Sequence, residues 1–225
     1  MAMLVQMLNS LWLDTSGPYC SVGLRVGEQD FCVVEHLERT HNKHLLRILD
    51  ELCTSAGLVP TMIDAIGLAC GPGSFTGVRM GAACVQAIAT AANCLVLPIT
   101  TNEALFASGT QNVDAVVAIK SRGNSFYLSQ RSASSIRVDN ELSDGIPQWL
   151  LEALSVDPNL ELFGEKPAWW PVATTEVATM HSEPETMLDL VSAQYSAGQG
   201  LSPEAALPVY FSGDSPWVKT SDRIK

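Results

Sequence analysis

Basic residues are scarce. Lysine and arginine number 13 against 24 aspartates and glutamates, a formal net charge of −11. A surface of that sign repels phosphate backbones and anionic lipid, so this chain is not expected to be the primary nucleic-acid binder of any assembly. Charged residues of both signs make up only 16% and aromatics 7%, while 47% are hydrophobic. That mixture packs a core and does not describe a disordered tail. No run is long and apolar enough to span a bilayer, and no basic segment precedes the apolar residues of Met1–Met7. Neither a membrane anchor nor a secretory signal is expected, and the protein reads as cytoplasmic. The six cysteines, at 20, 32, 53, 70, 84 and 94, form no Cys-x-x-Cys pair. In apolar runs such as 82–85 they read as small buried hydrophobes of a reducing compartment.

The usual catalytic signatures are also missing. No Gly-x-Ser-x-Gly elbow is present, and Ser74 has no natural histidine partner. Asp64, Asp114 and Asp144 lie in turns or before strands, and no paired-acid constellation forms. His41 and His44 stand three apart at a helix start, a spacing that can share a metal, but no nearby Cys, Asp or Glu completes a set. A packing or interface role is the alternative for them.

What is present alternates between two periods. Leu11-Trp12-Leu13 reads as a buried strand running into the polar turn Asp14-Thr15-Ser16. Cys20–Val26 and Asp30–Glu35, split by Gly27-Glu28-Gln29, form a hairpin signal. From Leu45 to Ala56 the apolar residues recur at helical spacing, with Thr40 placed to cap the start and Gly57 to end the helix. Ala65–Cys70 is a strand, 71–77 a glycine-rich loop, Val78–Ala92 an alanine-rich helix and Leu95–Ile99 a strand. A short helix from Asn102 follows, then strands at Val113–Ile119, Phe126–Arg131 and Ser135–Val138. From 139 to 184 short helices alternate with turns, including an exposed-looking Trp169-Trp170, before an amphipathic helix at Glu185–Ala197 and an extended Pro208–Phe211. The pattern predicts an α/β layer architecture in two lobes, 1–102 and 103–225. The helix near 185–197 is a candidate to return to the first lobe.

The sharpest feature is Gly71-Pro72-Gly73-Ser74-Phe75-Thr76-Gly77-Val78-Arg79-Met80-Gly81. Glycines let backbone amides turn outward, and a helix N-terminus adds positive dipole, so such a loop suits an anion. It is neither a P-loop, lacking Gly-Lys-Ser/Thr, nor the dinucleotide Gly-x-Gly-x-x-Gly. A tight strand-to-helix turn is the bland reading. Asp14 and Thr15, at the end of the first strand, are where phosphates or their metal sit in some α/β folds; an ordinary Asp turn is the alternative. Asp14, Thr15, Gly71, Gly73, Ser74, Gly77 and Arg79 form the candidate nucleotide or loop site.

Taken together, Leu13–Ser16, the Cys20–Leu24 strand, Thr40-His41-Asn42-Lys43-His44-Leu45-Leu46, residues 71–81 and Pro208-Val209-Tyr210 resemble the TsaB (YeaZ) family of bacterial tRNA threonylcarbamoyladenosine biosynthesis. The resemblance is strong over 11–100 and weaker beyond. It implies the actin-like ATPase, Hsp70 and sugar-kinase superfamily fold, with ribonuclease H-like lobes. It also implies a non-catalytic partner of TsaD, which transfers threonylcarbamoyl to N6 of the adenosine beside the anticodon in ANN-decoding tRNAs, joined by the small ATPase TsaE. ATP and a metal ion would be used through those partners, tRNA would be met only in the complex, and no cofactor would belong to this chain. His41, Leu45, Leu49, Ala82, Ala83 and Ala87 would face TsaD or, in a homodimer of the isolated chain, a second copy. An autonomous ATP-binding kinase-like enzyme or a metalloprotease of the same superfamily is the competing expectation. One departure stands out: Lys120 replaces the acid of the family's Ala-Ile-Asp-Ala-Arg stretch, and Ser125 stands where Glu is usual.

Overall fold

The computed structural model describes residues 8–37, 40–132, 135–172 and 175–210. Its elements in chain order are β1 (Ser10–Asp14), β2 (Tyr19–Val26), β3 (Gln29–His36), α1 (His41–Ala56), β4 (Ala65–Ala69), α2 (Phe75–Ala92), β5 (Leu95–Ile99), α3 (Thr101–Ser108), β6 (Ala115–Lys120), β7 (Phe126–Ser132), β8 (Ser135–Ser143), α4 (Gln148–Val156), β9 (Glu161–Gly164), β10 (Val177–Thr179) and α5 (Pro184–Ser196). They form two five-stranded mixed sheets, ordered β3-β2-β1-β4-β5 and β10-β9-β6-β7-β8. In the first, β1 pairs antiparallel with β2 and parallel with β4, and β4 pairs parallel with β5. In the second, β6 pairs antiparallel with β7 and parallel with β9.

Alternation along β1 explains the layers. Leu11 and Leu13 point to one face and join Leu45, Ile48, Leu49 and Leu52 of α1 and Ala82, Val85 and Ala89 of α2. Trp12, between them, points to the other face and joins Met187, Leu188 and Val191 of α5. The last helix therefore crosses back to the first sheet and contacts β1, β2 and β4. In the second sheet Val116, Ala118 and Leu128 pack under Leu150 and Leu154 of α4, while Val117, Ile119 and Phe163 pack under Leu105 and Phe106 of α3. Helix α3 also contacts α5, so it is wedged between the two sheets.

Several boundaries differ from the sequence pattern. The loop after β4 is shorter than 71–77 because α2 already starts at Phe75, capped by Ser74, whose Oγ accepts from the Gly77 amide at 3.2 Å. Thr40 does not cap α1 with its side chain; its hydroxyl donates back to the Leu37 carbonyl. Gly57 does end α1, at φ 63°, a left-handed conformation that costs glycine nothing sterically. β8 runs on to Ser143, and the strand β9 had no signature, being only four residues long. The tryptophan pair is not exposed: Trp170 is buried among Leu160, Leu162 and Leu150, and Trp169 is half-buried, its Nε1 donating to the Asn124 carbonyl. Phe211 lies outside the described residues.

Candidate functional site

β1, β4 and β5 run parallel, and their carboxyl ends carry Asp14, the glycine-rich loop and Thr101 respectively. The mouth outside such strand ends is the usual place for a ligand in an α/β sheet. The structure brings Asp14, Thr15, Gly73, Ser74 and Gly77 together here, but it uses them on one another.

Asp14 is buried at 6% exposure. Its Oδ1 accepts from the Ser16 amide at 2.8 Å and the Ser16 hydroxyl at 2.6 Å, and its Oδ2 accepts from the Ser182 hydroxyl at 2.8 Å. Ser182, on the segment leading into α5, also accepts from Trp12 Nε1 at 3.2 Å through its hydroxyl and from the Ser21 hydroxyl at 2.7 Å through its carbonyl. The acid thus makes its own Asp turn and ties the returning chain to β1 and β2.

The loop lies flat on that turn. The Ser74 amide donates to the Ser16 carbonyl at 2.6 Å, and the Thr15 hydroxyl donates to the Gly77 carbonyl at 2.8 Å. A Cβ at Gly73 would collide with the Ser16 carbonyl oxygen, and one at Gly77 with that of Thr15. A Cβ at Gly81 would come within 2.6 Å of Thr15 Oγ1. These glycines are required by contact within the chain, which is the bland reading of the motif. The Gly71 carbonyl accepts from the Thr101 amide, and the Cys70 carbonyl from the Val209 amide, so the C-terminal segment is fastened to the same loop. Arg79 does not join the acid turn. It points outward along α2, stacked on Phe75 and bonded to Tyr210.

The mouth itself is narrow. The cavity lined by Asp14, Thr101, Ala118, Gly164 and His181 has about 30 Å³, room for a water or two, where small-molecule sites take ~300–1,000 Å³. In the second sheet Lys120 is exposed, its Nζ 5.4 Å from the centre of the Phe126 ring. Ser125 closes its turn with backbone bonds to Ser121 and Arg122.

The expected partner face divides in two. His41, Leu45 and Ala82 are buried, which corrects their assignment to an outward face: Leu45 and Ala82 belong to the stripe of each helix that covers the first sheet, and His41 faces the Tyr19 carbonyl. Leu49 packs in the same stripe and also lines the groove between the two helices. Ala83 and Ala87 are exposed. Between α1 and α2 an open apolar groove of about 600 Å³ remains, lined by Leu46, Cys53, Val59, Cys84, Ala87 and Ile88 among others. Leu46 is 72% exposed and Val59 57%. Burial raises the Cys53 thiol and pushes that of Cys84 up to about 11, so the groove thiols stay neutral. Leu46 carries the one signal in sequence: it falls out of phase with the Leu45, Ile48, Leu49, Leu52 stripe. Ser182 carries none, since its partners lie about 160 residues away.

His41 Nε2 lies 3.2 Å from the Tyr19 carbonyl, while His44 Nδ1 lies 3.5 Å from Arg47 Nη2, so the two imidazoles serve different neighbours. Among the described residues no three of His, Cys, Asp and Glu gather as a metal site, and no helix is long and apolar enough to cross a membrane.

The family model for tRNA N6-adenosine threonylcarbamoyltransferase, TsaD, matches residues 33–152, just over half of the chain. The tRNA threonylcarbamoyladenosine biosynthesis protein TsaB of Haemophilus influenzae is 38% identical over 138 residues. That match covers 60% of this chain and 58% of the relative, so the chain spans less than two thirds of that relative's length in it. The TsaB of Escherichia coli is 26% identical over 226 residues, 93% of this chain and 96% of that one. YeaZ from Pseudomonas aeruginosa shares the fold at a TM-score of 0.70 and 24% identity, over 91% of this chain and 100% of that one. Because the matched stretch runs from within β3 into α4 and takes in α1, the glycine-rich loop and α2, the chain belongs to the TsaD family, tRNA N6-adenosine threonylcarbamoyltransferase, and is similar to its TsaB (YeaZ) proteins.

Proposed function

We propose that the chain works in tRNA threonylcarbamoyladenosine biosynthesis as a non-catalytic subunit that docks TsaD through the groove and alanine ridge of α1 and α2. The observation that carries this is the uncovered apolar surface itself. Leu46 and Val59 stand in solvent beside a groove of about 600 Å³, a contiguous exposed patch of the kind that marks a partner site. Exposed Ala83 and Ala87 let a partner helix approach α2 closely. The acid turn supports the non-catalytic half of the reading. Asp14 is held by three donors and faces a cavity of about 30 Å³. In this reading TsaD performs the transfer, TsaE joins the assembly, ATP and a metal ion act through those partners, and tRNA is met only in the complex. The isolated chain offers the same face to a second copy.

The test is affinity for TsaD of the same organism with Ala83→Glu and Ala87→Glu, each checked for folding by circular dichroism. An unpaired charge in an apolar interface is poorly tolerated, so both variants lose the complex while staying folded. Ala82→Glu, in the core, unfolds instead. Folded Ala83→Glu and Ala87→Glu proteins that bind TsaD as tightly as the parent refute the surface. Threonylcarbamoyl transfer by the purified chain alone refutes the non-catalytic role, and ATP turnover by it does so in favour of a kinase-like enzyme.

A further inference from the structure

Arg79, Ala83 and Ala87 follow one another at i, i+4 and i+8, so they share one face of α2. From Ala87 at the groove the ridge runs about 12 Å along the helix axis to the backbone of Arg79, whose side chain ends in a guanidinium. That guanidinium is held. Its carbon lies 3.7 Å from the centroid of the Phe75 ring and 5.4 Å from that of Tyr210, and its Nε donates to the Tyr210 hydroxyl at 2.7 Å. Tyr210 is itself fixed, because the Val209 amide donates to the Cys70 carbonyl and Gln86 Nε2 on α2 donates to the Ala206 carbonyl. The terminal nitrogens Nη1 and Nη2 have no acceptor among the described residues. Three other arginines use their forks within the chain: Arg25 binds Asp30 and Asp189, Arg47 binds Glu35 and Glu51, and Arg131 binds the carbonyls of Phe106 and Thr110.

We propose that Arg79, clamped between Phe75 and Tyr210, is a carboxylate-reading anchor for an Asp or Glu side chain of the protein that docks on the α2 ridge. This rests on the docking surface proposed above. A planar fork already aligned by stacking and by its Nε bond loses little rotamer freedom when two parallel bonds to a carboxylate form. The rest of the chain sharpens the selection. With a net charge of −11, a partner's carboxylate is repelled by most of the surface and accepted at this fork, which fixes the register of docking. The surroundings favour a protein over a nucleic acid. Leu207 and Val209, 59% and 40% exposed, add apolar surface to the segment that leads into Tyr210, and an extended polyanion would meet the chain's overall negative field.

The experiment measures binding of TsaD from the same organism to the full chain carrying Arg79→Ala, Arg79→Lys, Tyr210→Phe or Ala87→Glu, at low and moderate salt. Arg79→Ala weakens the complex by about tenfold or more, chiefly through faster dissociation. Arg79→Lys restores only a small part of this, because an ammonium has no fork. Tyr210→Phe, which keeps the ring and removes the hydroxyl, weakens binding a few-fold. If Ala87→Glu abolishes binding while both Arg79 variants bind like the parent, the anchor is wrong and the docking surface stands. If Ala87→Glu also binds like the parent, the surface itself is wrong. Full rescue by Arg79→Lys overturns the bidentate reading. A loss of tRNA binding by the chain in Arg79→Ala, with TsaD affinity unchanged, assigns the fork to phosphate and overturns the proposal.

Discussion

Replacing Ser182 by alanine tests how the two parts of the chain are joined. The Ser182 side chain is fully buried, donates to Asp14 Oδ2 and accepts from Trp12 Nε1. Its removal takes a hydrogen bond of ~1.5–3 kcal/mol from a charged acceptor and leaves a buried indole N–H without a partner at ~1–3 kcal/mol. The Ser21 bond goes to the Ser182 carbonyl and survives. A net loss of about 3 kcal/mol is expected, roughly 6–12 °C in Tm for a chain of this length. Folded proteins have ~5–15 kcal/mol in hand, so the variant still folds. Urea and thermal denaturation measure the loss, and near-ultraviolet circular dichroism reports the Trp12 environment. Ser155→Ala, whose exposed hydroxyl donates to the Glu152 carbonyl, is the control and stays within ~0.5 kcal/mol. A double cycle with Asp14→Ala should return a coupling of at least ~1 kcal/mol between the two side chains. A loss below ~0.5 kcal/mol for Ser182→Ala, or no coupling, removes Ser182 from its linking role.

Other outcomes follow from the same geometry. Leu45→Ala costs ~2–5 kcal/mol because Leu45 is 2% exposed, whereas Leu46→Ala, at 72% exposure, stays within ~0.5 kcal/mol; equal losses in urea titration would contradict the division of α1. Gly77→Ala drives a methyl into the Thr15 carbonyl and destabilises by ~1–3 kcal/mol or more, while the same change at Gly17, which has nothing within 4 Å, is near neutral in the same assay. Burial pushes Cys20 up to about 12 and Cys70 to about 11 from 9.0. Between those values the unfolded chain releases protons that the native one keeps, so stability is whole below pH 9 and falls as pH rises through 11–12. The urea midpoint should drop less steeply over this range in Cys20→Ala than in the parent; identical profiles would count against it. For tRNA, the chain alone binds weakly, and a submicromolar complex with a steep salt slope would overturn that expectation.

Local pattern was sufficient for much of the architecture. The β1–β2–β3 meander, α1 with its Gly57 stop, β4, β5 and α5 follow from periods of 2 and 3.6 and from turn chemistry, all of which act over a few residues. The 71–81 motif, with the Asp14 turn, was enough to mark the family resemblance. Tertiary contact decided what those residues do. Gly73 and Gly77 fit in sequence either an anion cradle or a tight turn, and only the approach of the loop and α2 to the Ser16 and Thr15 carbonyls shows them as close-packing residues. Asp14 looks free until Ser182, 168 positions away, reaches its second oxygen. Leu45 and Leu46 are the same residue type one position apart, yet a rotation of 100° puts one in the core and the other in the groove. The short β9 and the burial of Trp170 depend on a sheet whose neighbours come from distant parts of the chain. Strand pairing, helix approach and the partner of a buried polar group are set by residues far apart in sequence, and no local period encodes them.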